Sequence, residues 1–185
     1  MRTAFAALAL LAVPAVLAPA AAAQVLQPGA ALPLATQTFQ TAAGQSFALG
    51  SAAKSAGTLV VFWANRCAWA DRNAARLSDL VTTYGDRFGI VVVATAPVTA
   101  PAGVPVVLDP AGQLVRAFGV QRAPQAFVFD GSGTLAYAGA LDDSPADAAA
   151  ARTRYAWNAL DALASGQAPA VTTSEAFGCI VRVAQ

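Results

Sequence analysis

Histidine is absent from the 185-residue chain, and cysteine occurs only twice, as Cys67 and Cys179. The lack of imidazole excludes histidine metal sites, a Ser/His/Asp triad and a Cys/His dyad. Two cysteines are also too few for a self-contained structural zinc site. Any chemistry must therefore use the two cysteines, carboxylates, arginines or backbone groups, and the sequence predicts no metal and no cofactor.

Charged residues are scarce as well, at 11% of the chain, and the two signs nearly balance, with 11 basic and 10 acidic side chains. Such a chain lacks the electrostatic field that holds nucleic acid or anionic lipid nonspecifically. The hydrophobic fraction of 57% overstates how apolar the chain is, because much of it is alanine, which buries little area. The composition therefore predicts no nucleic-acid partner and does not by itself indicate a membrane protein.

Residues 1–23 have the pattern of a secretory signal peptide. Arg2 gives a charged start, Ala4–Val13 is an apolar run, and three alanines precede Gln24, where cleavage is expected. A membrane anchor is the competing interpretation, but two prolines interrupt a stretch that is already short for a span. We therefore expect a periplasmic or secreted protein without stable membrane insertion after cleavage, in a compartment where disulfides persist.

The remaining chain is long enough for one compact domain rather than two. Residues 24–57 are predicted to form an N-terminal extension with a short hairpin, built from Thr38–Gln40 and Ser46–Leu49 around a glycine turn. Residues 58–166 are predicted to form the main domain, and residues 167–185 form a tail that carries Cys179.

The main domain opens with a strand, a helix and a second strand. Thr58–Ala64 and Ile90–Thr95 are continuous β-branched and apolar runs, which are typical of strands covered on both faces. Between them, apolar residues from Ala70 to Tyr84 recur at spacings of three and four, which predicts an amphipathic helix. This order predicts a βαβ unit.

The sequence of the second half of the domain predicts one more strand, two helices and an antiparallel hairpin. The predicted elements are a strand at Val104–Leu108, a helix from Asp109 to Phe118, hairpin strands at Phe127–Asp130 and Thr134–Tyr137, and a helix from Ser144 to about Ala164. Asp142 and Asp143 precede that last helix, where carboxylates interact well with its N-terminus, although a general-base role for a carboxylate stays open. The order fits an α/β, thioredoxin-like fold with a central mixed sheet flanked by helices.

Cys67 lies three residues after the first buried strand, at the start of the predicted helix. Free N–H groups and the positive end of the helix dipole favour the thiolate there, so the pKa of Cys67 should be lowered and its nucleophilicity raised. A small, inert buried cysteine is the alternative.

The residues around Cys67 resemble a known superfamily. Phe62–Ala70 reads FWANRCAWA, which is similar to the F-W-A-x-W-C-x-x-C segment of thioredoxin-like reductases. It is closer to the N-x-C-P-[YF] segment of redoxins of the alkyl hydroperoxide reductase and thiol-specific antioxidant superfamily, with Asn65 as the N of that motif. Gly178-Cys179-Ile180 resembles the G-C-x-I ending of the same relatives. The resemblance spans residues 58–180.

This resemblance implies roles for further residues. It implies that Pro124 is the cis-proline whose loop faces the reactive cysteine, next to a backbone edge where an extended partner peptide can pair. An ordinary trans-proline is the alternative. Trp63 is expected to lie in the core or line a cleft, and Trp69 to form a recognition surface.

Three departures from these families limit the chemistry. Ala70 stands where the second cysteine of C-x-x-C would be, so a mixed disulfide at Cys67 can be resolved only by Cys179 or an external thiol. Ala68 replaces the proline of N-x-C-P. Ala64 stands where peroxiredoxins carry Thr or Ser; Arg122 could donate to a bound peroxide, although a surface arginine is the commoner role.

The sequence therefore predicts an exported thiol–disulfide oxidoreductase with Cys67 as nucleophile and Cys179 as possible resolving cysteine. Its substrate would be a protein disulfide or a small thiol or peroxide species, and its electron donor is not indicated. A thiol peroxidase is one alternative. The other is a non-catalytic binding module in which Cys67 and Cys179 form a permanent bridge; two independent thiols also stay open.

Overall fold

The computed structural model describes residues 24–183, so the predicted signal peptide lies outside the described residues. Within that range, none of the helices combines the length and apolar character needed to cross a bilayer.

The described chain forms a mixed sheet with three helices. The strands are β1 (Thr38–Thr41), β2 (Ser46–Ala48), β3 (Gly57–Phe62), β4 (Phe88–Ala94), β5 (Val106–Leu108), β6 (Arg122–Ala123), β7 (Gln125–Asp130), β8 (Leu135–Gly139) and β9 (Cys179–Ile180), and the helices are α1 (Ala68–Tyr84), α2 (Gln113–Phe118) and α3 (Tyr155–Ala164). Seven strands follow the order β2-β1-β5-β4 and β3-β7-β8, joined where β3 runs beside β4. Strands β6 and β9 form a separate pair.

Alternating side chains of the central strands point to two different apolar clusters. In β3, Leu59 and Val61 pack in one cluster together with residues of α1 and α3, whereas Val60 and Phe62 pack in the other with residues of α2. All six β3 residues are buried. This two-sided burial explains why the sequence of β3 is continuously apolar instead of alternating, and the predicted β3-α1-β4 order and α/β fold are confirmed.

The predicted hairpins are also present. Strands β7 and β8 pair antiparallel, as do β1 and β2. Strand β1 additionally pairs antiparallel with β5, so the N-terminal hairpin extends the main sheet.

The predicted helix from Ser144 was wrong in its first part, because α3 begins only at Tyr155. The preceding loop contains a single 3-10 turn, Ala148–Ala150. The carboxylate of Asp143 accepts hydrogen bonds from the backbone N–H groups of Thr153 (3.0 Å) and Arg152 (2.9 Å), which fold the loop back on itself. These bonds hold the pKa of Asp143 below its ordinary value. Local side-chain bonds here outcompete the helix propensity of the alanines.

The helix predicted from Asp109 starts later, at Gln113. The carboxylate of Asp109 accepts hydrogen bonds from the N–H groups of Gln113 (2.7 Å) and Val115 (2.9 Å). Asp109 therefore satisfies N–H groups of the first turn, as expected for a cap, although Gly112 intervenes before the helix.

Candidate functional site

Cys67 occupies the N-cap position of α1, as the spacing after β3 predicts. The preceding Arg66 has a left-handed backbone (φ 52°), which turns the chain from the strand into the helix. The side chain of Cys67 faces the interior, and the residue is only 1% exposed. The predicted strand-to-helix location is thus correct, but the residue is far less accessible than a partner-facing nucleophile requires.

A disulfide joins Cys67 to Cys179 across 112 positions, with the two Cα atoms 6.1 Å apart. The tail reaches this point because β9 pairs antiparallel with β6, so that Cys179 lies opposite Ala123 and Ile180 opposite Arg122. The sequence left open whether the two cysteines pair, and in the structure they do.

The Ala123–Pro124 peptide bond is cis, as the resemblance implied. The carbonyl oxygen of Ala123 lies 3.9 Å from the Sγ atom of Cys67, so the loop of Pro124 does face the buried cysteine. The backbone edge of β6 beside this loop is occupied by the protein's own tail.

Two contacts fix the tail on either side of Cys179. The guanidinium of Arg122 donates to the carbonyl oxygen of Gly178 (3.0 Å), and the N–H of Val181 donates to the carbonyl oxygen of Gln121 (2.9 Å). Arg122, which the sequence offered as a donor to peroxide, is thus engaged by the tail in the disulfide form.

Gly178 is required at its position for two reasons. Its φ is +149°, and a Cβ atom there would lie 1.9 Å from the carbonyl oxygen of Ala123. Another residue would therefore have to push the tail away from β6.

We expect Gly178→Ala to make the disulfide easier to reduce, because backbone strain of about 1–3 kcal/mol opposes the paired tail. This corresponds to a change of roughly 5- to 150-fold in the equilibrium constant with a glutathione buffer. Gly44→Ala is the matched control: Gly44 also has a positive φ (+75°), but within the described chain a Cβ there would meet nothing within 4 Å. Equal redox behaviour of the two variants would contradict the expectation.

The remaining predicted site residues do not all converge on the disulfide. Trp63, which is 7% exposed, lines a cleft of about 340 Å³ together with Asn65 and Arg66 at the start of α1. Trp69 is half-buried, and the guanidinium of Arg72 lies 5.6 Å from its ring centroid. Trp63 is thus both buried and cleft-lining, whereas Trp69 stacks with a neighbour on its own helix.

A buried ion pair near Pro124 was missed by the sequence reasoning. Arg76 and Asp142 are 5% and 3% exposed, and the Arg76 Nε atom donates to Asp142 Oδ2 at 2.6 Å. The same carboxylate accepts from the N–H of Ser144. A small pocket of about 10 Å³ is lined by Asp142 together with Asn73 and Pro124, among others. Asp142 therefore pairs with a buried arginine and, contrary to the sequence prediction, does not lie at a helix N-terminus, because α3 begins only at Tyr155.

One signal could have found this pair. Arg76 directly precedes Leu77 on the buried stripe of α1, and Asn73, one turn earlier, is also buried. A charged residue on the apolar side of a helix predicts a buried partner, although it does not say which carboxylate.

No family model matches the chain, and no curated protein matches it. Three solved structures illustrate what it is similar to. An uncharacterized conserved protein from Geobacillus kaustophilus is 21% identical, with 85% of this chain and 92% of that chain covered and a TM-score of 0.73. The thioredoxin domain of a thiol-disulfide oxidoreductase from Bacteroides vulgatus is 21% identical, with coverage of 60% and 86% and a TM-score of 0.51.

The third is the peroxidoxin BcpB from Mycobacterium tuberculosis, at 18% identity, with 61% of this chain and 84% of that chain covered and a TM-score of 0.52. At these identities the likeness establishes the fold, which is thioredoxin-like, and leaves the chemistry to be argued from the site.

Proposed function

We propose that the protein is a thiol–disulfide oxidoreductase that cycles between the Cys67–Cys179 disulfide and the corresponding dithiol. The observation that carries the proposal is the position of the disulfide, which links the N-cap of α1 to the tail strand paired beside the cis-Pro124 loop. A helix N-terminus stabilises the thiolate that forms when the bond opens, so reduction and oxidation are both accessible.

Within this proposal, the disulfide accepts two electrons and two protons from a dithiol partner, which is itself oxidised to a disulfide. In the reverse direction the protein's dithiol reduces a substrate disulfide. The two sulfur atoms replace the local C-x-x-C pair that the sequence lacks. The names of two structural neighbours, a thiol-disulfide oxidoreductase and a peroxidoxin, are compatible with such chemistry.

We further propose that this activity takes place in the periplasm or outside the cell. The leader predicted at residues 1–23 supports export, and a disulfide between the chain's two cysteines persists in an oxidising compartment. The peroxidase alternative receives less support, because Arg122 donates to the tail and Ala64 offers no hydroxyl.

The proposal is tested by the reduction potential and the turnover of the pair. After equilibration with glutathione buffers, we expect a potential above about −300 mV, because structural disulfides typically fall below that value. Reduction of insulin disulfides should be catalysed by the wild type, while Cys67→Ser and Cys179→Ser should each lose it. Circular dichroism of both variants checks that they remain folded. A potential below that limit without turnover would identify a permanent bridge, and rapid consumption of hydrogen peroxide would instead identify a peroxidase.

A further inference from the structure

We infer that partner thiols exchange with the protein at Cys179, and that Cys67 serves as the internal partner sulfur; this inference rests on the proposed function. The assignment reverses the order of the two cysteines expected from the sequence, which placed Cys67 in contact with the substrate.

Accessibility separates the two cysteines. Cys67 is 1% exposed and belongs to a buried cluster that includes Trp63 and Ala70. Cys179 is only partly buried, at the edge of the same cluster, in a strand of two residues on the tail. Its neighbours Phe177 and Ile180 are 43% and 65% exposed, so this stretch of the tail faces solvent. An attacking thiolate must contact the sulfur to which it bonds, and Cys179 is the less buried of the two cysteines.

The stability of the leaving thiolate also favours attack on Cys179. Attack on Cys179 expels Cys67 as a thiolate at the N-terminus of the 17-residue helix α1, where the helix dipole offsets the cost of a negative charge at this buried position. A better-stabilised thiolate leaves faster in thiol–disulfide exchange. Attack on Cys67 would instead require entry into the core and would expel the sulfur of a short tail strand.

The exchange is balanced as follows. A thiolate of the partner dithiol bonds to the Sγ atom of Cys179, the Cys67–Cys179 bond breaks, and its electron pair stays on Cys67. The second thiolate of the partner then attacks the partner's own sulfur in the mixed disulfide. This forms the partner's disulfide and releases Cys179 as a thiolate. Cys179 and Cys67 then each take up one proton, which balances the two protons that the partner dithiol lost on ionising. Two electrons have passed from the partner dithiol to the protein.

The test uses the oxidised wild-type protein and glutathione as the probe thiol. The reaction is quenched with acid at early times, free thiols are alkylated, and the position of glutathione is mapped by mass spectrometry. We expect glutathione on Cys179 and the alkyl group on Cys67, in at least about tenfold excess over the reverse arrangement.

The same protein unfolded in urea provides the matched control, because unfolding removes the difference in burial. There the partition should approach equality. Glutathione mainly on Cys67 in the folded protein would overturn the inference and leave the proposed function intact, as would a preference for Cys179 that persists unchanged in urea. If neither cysteine formed an adduct, the inference and the proposed function would be overturned together.

Discussion

Removing the Cys67–Cys179 bond is expected to lower the free energy of unfolding by roughly 4–5 kcal/mol in the chain-entropy treatment of a loop this long. The bridge spans 112 positions, so the oxidised unfolded chain is confined far more than the reduced one. The free energy at stake is comparable with the net stability of a small domain. The reduced protein should therefore be only marginally folded, or should fold with a detached tail.

The measurement is urea unfolding of the wild type with and without reductant, together with the Cys67→Ala/Cys179→Ala double variant. The reduced wild type is the cleaner comparison, because it keeps both side chains and leaves the core volume at Cys67 unchanged. The double variant should agree with it to within the small cost of the lost sulfur atoms. A difference below about 1 kcal/mol between oxidised and reduced protein would show that the unfolded chain is already held compact.

Through a thermodynamic cycle, the free energy by which the disulfide stabilises the fold also affects its reduction potential. The disulfide stabilises the folded protein against unfolding, and folding stabilises the disulfide against reduction by the same free energy. A stabilisation of 4–5 kcal/mol corresponds to about 100 mV in the potential of a two-electron couple, in the direction of harder reduction. Strain that opposes the paired tail, such as that expected from Gly178→Ala, acts in the opposite direction. The reduction potential of the disulfide thus depends on how stable the pairing between β9 and β6 is.

The sequence could predict the elements whose signal is local. Strand β3 and helix α1 follow from continuous apolar runs and from apolar spacing, and the position of Cys67 between them follows from chain order. The helix predicted from Ser144 failed because alanine suits a helix without specifying one, and the side-chain bonds of Asp143 fold those residues otherwise.

The position of the tail could not be derived from local signals. Strands β6 and β9 have two residues each, too few for any periodicity, and their pairing joins positions that are distant in the chain. In the sequence, only a pairing of the two cysteines would bring the tail back to the start of α1, and that pairing was one of several open possibilities. The reversal of roles between Cys67 and Cys179 likewise depends on burial, which local sequence does not report for a single cysteine.

Neutralising Asp142 is expected to cause the other large loss of stability. Asp142→Asn keeps the size of the side chain but leaves the guanidinium of Arg76 charged, buried and without its carboxylate. Removing one partner of a buried ion pair in this way lowers the free energy of unfolding by about 3–5 kcal/mol. Asp79→Asn is the matched control, since Asp79 pairs with Arg154 at the surface, where the two side chains are about half exposed. The amide oxygen of asparagine can still accept from the indole N–H of Trp157, as Asp79 does. The same chemical change there should cost about 1 kcal/mol or less.

Urea unfolding of both variants in the oxidised state provides the measurement, so that the bridge contributes equally to each. A double variant, Arg76→Met/Asp142→Leu, distinguishes loss of pairing from loss of packing. Because both charges are then gone, most of the stability should return, as it does when buried pairs are replaced by apolar groups of similar volume. Arg76 also donates to the carbonyl oxygen of Ser144, and Asp142 accepts from the Ser144 N–H, so the return should stay incomplete by about the value of two hydrogen bonds. If Asp142→Asn were as mild as Asp79→Asn, the buried pair would have to be reached by water, and the loop after β8 would then be held by other contacts.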